Sequence, residues 1–273
     1  MPPESETGER LAGFGPLARL RDDPKRSAIL TDVDGTLAPI VARPEQAEVP
    51  ERASELLERL SERYGLVGCI SGRRAEEARR LVGVDSIAYA GNHGLELLLP
   101  GEGEVRFDPS LQGRERDAQA FVAGLEDGTL ATRELRLEDK GPIQALHWRG
   151  AGDERAAQAR AHEIAAAAGR EGLDLRWGRK VLELRPAGGG GKDAAVAALL
   201  AIDGVTMAAY AGDDRTDLDA FRRLRELCDA GELEAAVCVG ILSDEGPPEL
   251  PEESDLTVTG PAGWLKQLEA LAE

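Results

Sequence analysis

Short apolar runs alternate along this chain with longer segments in which apolar residues recur at helical spacing, the pattern of a parallel sheet with helices on both faces. The runs predict strands at Ala28 to Asp32, Leu66 to Ile70, Ile87 to Ala90, Val205 to Ala211 and Ala236 to Val239. Between the first two lies PERASELLERLSERYG, which sets Leu56, Leu57 and Leu60 on one face, has Pro near its start and Gly65 after its end, and so predicts a crossover helix. From about Pro109 to Arg185 the rhythm changes. There it predicts a helix, strands at Ala131 to Leu137 and Ile143 to Arg149, a helix at Asp153 to Ala168, and strands at Leu173 to Trp177 and Val181 to Leu184. Helix and paired strands, twice over, make a compact α+β lobe. The expected organisation is a tail and lead-in over 1–26, a doubly wound α/β core over 27–108 and 186–273, and an α+β lobe inserted at 109–185. A chain of 273 residues suits a core with a smaller inserted domain.

Composition narrows the function classes. With 42% apolar and 31% charged residues the chain is ordinary for a globular protein, and no apolar stretch approaches the roughly 20 residues needed to span a bilayer. No membrane role is expected. The opening MPPESETGERLAGFGPLARL lacks the basic start and continuous apolar segment of a secretory leader, so the expected location is cytoplasmic. Cys69, Cys228 and Cys238 are odd in number with no CxxC pair, which argues for reduced, buried thiols. A net charge of −18 argues against nucleic-acid binding, which is driven by Lys and Arg neutralising phosphates. An acidic chain that binds a phosphate needs a locally held cation. Oligomeric state lies outside what the sequence specifies, and a monomer suffices.

Three of the apolar strands end in polar residues, and ligands of open α/β sheets bind beyond the carboxyl ends of the strands. The first ends in Asp32-Val33-Asp34-Gly35-Thr36, the second in Ser71-Gly72-Arg73, and that through Tyr210 in Gly212-Asp213-Asp214-Arg215-Thr216-Asp217. So many carboxylates at one mouth call for a counter-cation, because like charges raise one another's pKa. Hard oxygen donors with no His or Cys favour Mg²⁺, which keeps open positions for phosphate oxygens. Phosphoryl transfer then requires a nucleophile, donors for the equatorial oxygens and an acid for the leaving group. Asp32 or Asp34 can attack. Ser71 offers a hydroxyl, the loop at Gly35 offers backbone N–H groups, and Lys192, after four glycines at an expected helix start, offers positive charge. Each feature alone is commonplace as a surface pair, an acidic turn or a solvated helix start. Their joint placement at strand ends points to a catalytic site.

These residues resemble the four motifs of the haloacid-dehalogenase-like phosphatases, with the likeness running from about Ser27 to the C-terminus. The resemblance implies Asp32 as nucleophile, Asp34 as general acid and then base, and Ser71 and Lys192 as holders of the phosphoryl group. It also implies a Mg²⁺ site drawn from Asp32, Asp34, Asp213 and Asp214. The inserted lobe stands where the sugar-phosphatase branch carries its cap, the part that confers specificity. Four further stretches look like trehalose 6-phosphate phosphatases in particular: Ser71-Gly72-Arg73, Gly91-Asn92-His93-Gly94, Glu138-x-Lys140 with His147-Trp148-Arg149, and Gly178 to Pro186. By that resemblance Glu138, Lys140 and Glu183 hydrogen-bond sugar hydroxyls, and Gly35, Gly72, Arg73, Asn92 and His93 contact the substrate. The implied partner is a small sugar phosphate, with sucrose 6-phosphate and glycosyl-phosphoglycerates as competing substrates. A non-catalytic sensor would be expected to have lost Asp32 or Asp34. The residues alone also allow His93 as a packed turn histidine, His147 and Trp148 as lobe core, and His162 as a surface position. Asp193 and Leu218 depart from the family pattern, which has Gly and usually an acid there.

Overall fold

The computed structural model describes residues 15–41, 46–111, 113–125, 135–178, 180–201, 204–244 and 246–273. The chain divides into two compact units, one ending at Arg106 and resuming at Gly190, the other Phe107–Gly189. The strands in chain order are β1 (Ser27–Thr31), β2 (Leu66–Ile70), β3 (Ala88–Gly91), β4 (Glu96–Leu98), β5 (Arg106–Phe107), β6 (Arg136–Lys140), β7 (Ile143–His147), β8 (Asp174–Gly178), β9 (Val181–Arg185), β10 (Met207–Gly212), β11 (Ala235–Leu242) and β12 (Leu256–Thr259). The large sheet has the order β12-β11-β10-β1-β2-β3-β4-β5, parallel from β12 through β3, with β4 antiparallel to β3.

The inner strands are apolar at nearly every position because both faces are covered. Alternation sends Ile29, Val67, Cys69, Ala209 and Ala211 to one core cluster and Ala28, Leu30, Ile70, Ala208 and Tyr210 to the other. On the first side pack the helices Glu51–Arg63, Ala75–Val82 and Gly260–Ala272, through Leu56, Leu57, Leu60, Val82, Trp264 and Leu268. On the second pack Lys192–Leu200 and Asp217–Asp229, through Val196, Leu199, Leu218, Phe221 and Leu224. Leu218, a departure from the family pattern, is thus a core residue. Trp264 is fully buried and donates its indole N–H to Thr31 at 3.1 Å, fixing the last helix beneath β1.

The second unit is a four-stranded antiparallel sheet, β6-β7-β9-β8, with the helices Asp117–Ala123 and Glu154–Arg170 on one side. Asp153 caps the longer helix, accepting from the N–H groups of Arg155 and Ala156 at 3.0 Å. The strand expected over Ala131 to Leu137 lies instead at Arg136–Lys140, and positions 131–134 lie outside the described residues. The shift follows from the turn. Lys140 pairs directly with Ile143, so the chain reverses over Gly141-Pro142, where Gly141 takes a φ of 76° and Asp139 accepts its N–H. Cys69, Cys228 and Cys238 are all free thiols. Among the described residues no helix is long and apolar enough to cross a membrane.

Candidate active site

From β1 the chain moves to β2 on one side, and β10 later joins β1 on the other, so the strand order reverses between β1 and β10. That crevice is where doubly wound sheets bind ligands. Asp32, just past β1, donates its N–H to Ala211 of β10 at 2.8 Å. Its buried carboxylate has Oδ1 2.9 Å from Nζ of Lys192, the first residue of its helix and only 2% exposed. Lys192 also donates to Oδ1 of Asp217 at 2.6 Å.

Asp217 is the centre of this array. Its Oδ1 accepts in addition from the Tyr210 hydroxyl at 2.6 Å, and its Oδ2 from the N–H groups of Asp213 at 2.9 Å and Asp214 at 2.8 Å. Four donors meet a fully buried carboxylate with about four acceptor positions. Gly212 makes the approach possible, since a Cβ there would lie 2.1 Å from Cγ of Asp217.

Asp213, at the end of β10, accepts from the Thr36 hydroxyl at 3.2 Å. Gly35 has a φ of 89°, and a Cβ on it would stand 2.1 Å from Oδ2 of Asp213. Only glycine serves there. The Gly35 N–H, expected to be offered to a ligand, donates instead to Ala38 O at 2.8 Å, so the role the structure gives Gly35 is to admit Asp213.

Carboxylate oxygens of Asp32, Asp213 and Asp217 lie within 4.8 Å of one another. Burial raises Asp32 well above the ordinary aspartate range, opposed by Lys192 and reinforced by Asp217 and Asp213. Burial, then Asp217 and Asp214, push Asp213 up to about 7. Burial also disfavours the Lys192 ammonium, but Asp217 and Asp32 outweigh it and hold Lys192 above its usual value. Crowded, partly ionised hard oxygens of this kind fit a divalent cation such as Mg²⁺. Asp217 has its oxygens occupied, so Asp32 and Asp213 are the carboxylates with an oxygen to spare.

Asp214, expected as a ligand, is exposed and lies outside this triad; its Oδ1 accepts from the N–H of Thr216 at 2.7 Å, the Thr216 hydroxyl at 2.6 Å and the N–H of Asp217 at 3.1 Å, closing the turn into the helix. Asp34 also lies outside the triad. Arg73 grips it with two donors, Nε to Oδ2 at 2.7 Å and Nη2 to Oδ1 at 2.8 Å, while its Nη1 reaches Glu77 at 2.5 Å. This bidentate clamp fixes the orientation of Asp34.

Ser71 is buried and its Oγ accepts from the Arg73 N–H at 3.2 Å. The turn at Gly91 to Gly94 braces this loop. Asn92 donates its N–H to Arg73 O at 2.7 Å and His93 to Ser71 O at 2.9 Å, with both turn residues in the left-handed region at φ 50° and 55°. The His93 ring lies where a Gly72 Cβ would be 2.8 Å from it. Glu96, buried at the start of β4, accepts from the Asn92 amide at 2.9 Å and the Ala75 N–H at 2.8 Å. Gly191 donates to His93 O at 2.5 Å, so the same turn supports the glycines before Lys192. Asp193 stands in the first helical turn with its carboxylate against Gly191, where an acid suits the helix dipole.

In the second unit Glu138, Ala145 and Glu183 are in register across β6, β7 and β9, which puts both acids on one face. Lys140 donates to Glu183 at 3.1 Å, and His147 Nε2 meets Glu138 Oε2 at 2.7 Å. Trp148 is buried in the unit's core, as the residues alone allowed.

Thr36 and Glu96 were not assigned roles from sequence, and the sequence left open whether Asp214 or Asp217 contacts Mg²⁺ directly. Asp217 stands four residues after Asp213 at a helix start, and Glu96 is a lone acid among leucines; both were readable signals.

Comparisons with known proteins place the chain in a family and a fold. The trehalose-phosphatase family model matches residues 30–245. A probable trehalose-phosphate phosphatase 9 of Oryza sativa subsp. japonica is 32% identical over 227 residues, covering 74% of this chain and 60% of the relative. A trehalose-phosphate phosphatase of Mycolicibacterium paratuberculosis is 33% identical over 206 residues, covering 74% and 52%. The chain therefore spans little more than half the length of these relatives. Among solved structures, a trehalose-6-phosphate phosphatase related protein superposes with a TM-score of 0.68 at 24% identity, covering 90% of this chain and 96% of that one. A haloacid dehalogenase-like hydrolase from Bacteroides thetaiotaomicron superposes at 0.64 and 15% identity, covering 90% and 99%. These likenesses show the fold to be haloacid-dehalogenase-like. With the family model spanning most of the chain, the protein belongs to the trehalose-phosphatase family.

Proposed function

We propose that this chain is a Mg²⁺-dependent phosphatase that hydrolyses trehalose 6-phosphate through an aspartyl-phosphate on Asp32. The observation that carries the reading is the buried array of Asp32, Lys192, Asp217 and Asp213 at the crevice between β1 and β10. A carboxylate kept next to a buried ammonium is oriented and ready to attack, and a hydrolase needs nothing more reactive when the phosphoryl charge is neutralised.

In the first half-reaction an oxygen of Asp32 attacks phosphorus, the bond from phosphorus to the sugar oxygen breaks, and Asp34 gives that oxygen its proton. In the second, water attacks the phosphorus of the aspartyl-phosphate, Asp34 takes the water's proton, and phosphate leaves as the Asp32 carboxylate is restored. Lys192 and the Ser71 hydroxyl hold the phosphoryl oxygens. Asp32 and Asp213 would hold Mg²⁺, with Asp34 adding its backbone carbonyl and Asp214 supporting the site; when bound, the ion neutralises charge on the transferring group. Arg73 donates once to each oxygen of Asp34, which orients the carboxyl and leaves each oxygen a second position for the proton it passes on. Glu138, Lys140 and Glu183 supply hydrogen bonds to sugar hydroxyls, and the unit that carries them acts as the specificity cap.

The test is phosphate release, with Mg²⁺ and with EDTA, from trehalose 6-phosphate, sucrose 6-phosphate, glucose 6-phosphate and a glycosyl-phosphoglycerate. Preferential, Mg²⁺-dependent release from trehalose 6-phosphate is expected. Preference for another member discards the substrate, and silence across the panel discards the catalytic reading.

A further inference from the structure

Residues paired directly across a sheet share a face. In the second unit Glu138, Glu183 and Arg176 stand on one face, while Trp177 pairs with Leu182 on the other, the face covered by the helix Glu154–Arg170. On this helical side lies a cavity of about 580 Å³, lined wholly by residues of the second unit. Its wall is the Trp177 ring, 42% exposed on the edge strand β8. His162 lies against that ring with centroids 4.3 Å apart, and the buried Trp148 meets it edge-on at 6.1 Å. Two of the three tryptophans of a chain that is only 4% aromatic are here. With His162 stacked on it and Trp148 at its edge, Trp177 still keeps 42% of its surface open.

The rim is polar and nearly neutral. Glu154, Gln158 and His162 follow one another at four-residue spacing along one helix face. Across the cavity Lys180 takes a left-handed φ of 65° and donates to both oxygens of Glu154, at 2.8 and 2.7 Å. Glu154 also accepts the Gly150 N–H at 3.1 Å. The ion pair cancels its own charge and fixes the carboxylate, while the Gln158 amide has no hydrogen-bond partner among the described residues.

We propose that this cavity binds a neutral pyranose. The Trp177 ring takes the C–H face of the sugar, and Gln158 and Glu154 take its hydroxyls. The lining disfavours the alternatives. A cation meets Lys180 and Arg155; an anion has to displace the fixed Glu154; an apolar ligand buries Gln158 and Arg155 unpaired. The site lies on the opposite sheet face from Glu138 and Glu183 and does not rest on the function proposed above.

The full chain is titrated with methyl α-glucoside, maltose and trehalose, read by tryptophan fluorescence and calorimetry, with choline and inorganic phosphate as further probes. Saturable binding with Kd on the order of 1–10 mM is expected for at least one sugar. Trp177→Ala abolishes it, Trp177→Phe keeps the ring and retains part of it, and Gln158→Ala weakens it roughly fivefold. The proposal is overturned by absence of saturable binding up to about 100 mM, by binding that Glu183→Ala removes and Trp177→Ala does not, or by saturation with choline or phosphate in place of sugar.

Discussion

Lys192 and Asp217 form a hydrogen-bonded ion pair at 2.6 Å in which neither side chain has more than 2% of its surface exposed. Removing one partner of such a pair strands the other charge out of water, a loss of about 3–5 kcal/mol. Lys192 keeps Asp32 at 2.9 Å when Asp217 is removed, but the Tyr210 hydroxyl and two backbone N–H groups lose their acceptor together, so Asp217→Ala is expected to lower unfolding free energy by about 3 kcal/mol. Denaturant titration measures it; a loss below about 1 kcal/mol refutes the central role of Asp217.

Asp32→Asn is expected to abolish turnover while leaving the fold and its melting temperature intact or raised. Burial and the neighbouring acids oppose ionisation of Asp32, so an uncharged isostere relieves repulsion. Retained phosphate release in this variant would eliminate Asp32 as the attacking group.

Metal binding should depend on pH in a defined direction. A carboxyl that holds its proton more tightly in the folded chain than in the unfolded one stabilises the fold at low pH, and that contribution is lost as pH rises through the folded value. For Asp213 the window runs from about 4 to about 7. The metal-free protein should lose stability across it, and Mg²⁺, which replaces the proton, should raise the melting temperature more at pH 7.5 than at pH 5. Scanning calorimetry with Mg²⁺ and with EDTA at the two pH values tests this; equal shifts count against Asp213 as a ligand.

Glu138→Ala and Glu183→Ala are expected to reduce turnover of trehalose 6-phosphate by at least tenfold, about 1.4 kcal/mol, with much smaller effects on a small aryl phosphate. Equal losses on both substrates would assign these acids to something other than sugar recognition.

Gly35→Ala should impair the site without touching a charged group. The new methyl would meet Asp213 at 2.1 Å in a backbone conformation that alanine avoids. Weaker Mg²⁺-induced stabilisation is expected, and an unchanged Mg²⁺ titration would show that Asp213 can move without consequence.

The apolar runs disclosed β1, β2 and β10, because a strand buried on both faces must be apolar at nearly every position, and that is a local property. The polar residues ending those strands were equally plain. The half-buried edge strand β12, Leu-Thr-Val-Thr, was not, since an edge needs no such pattern. Nor could spacing alone say which acid after Gly212 turns inward. Asp214 and Asp217 are alike as residues, and the choice rests on Lys192 and Tyr210 converging from other elements. The sequence by itself determined the layered α/β core and the set of groups that meet at its strand ends, because burial pattern and strand termini are written residue by residue. Tertiary structure alone decided that Asp217 is a buried acceptor, that Arg73 holds Asp34, and that Trp177 stands open beside His162, because each depends on distances between residues far apart in the chain.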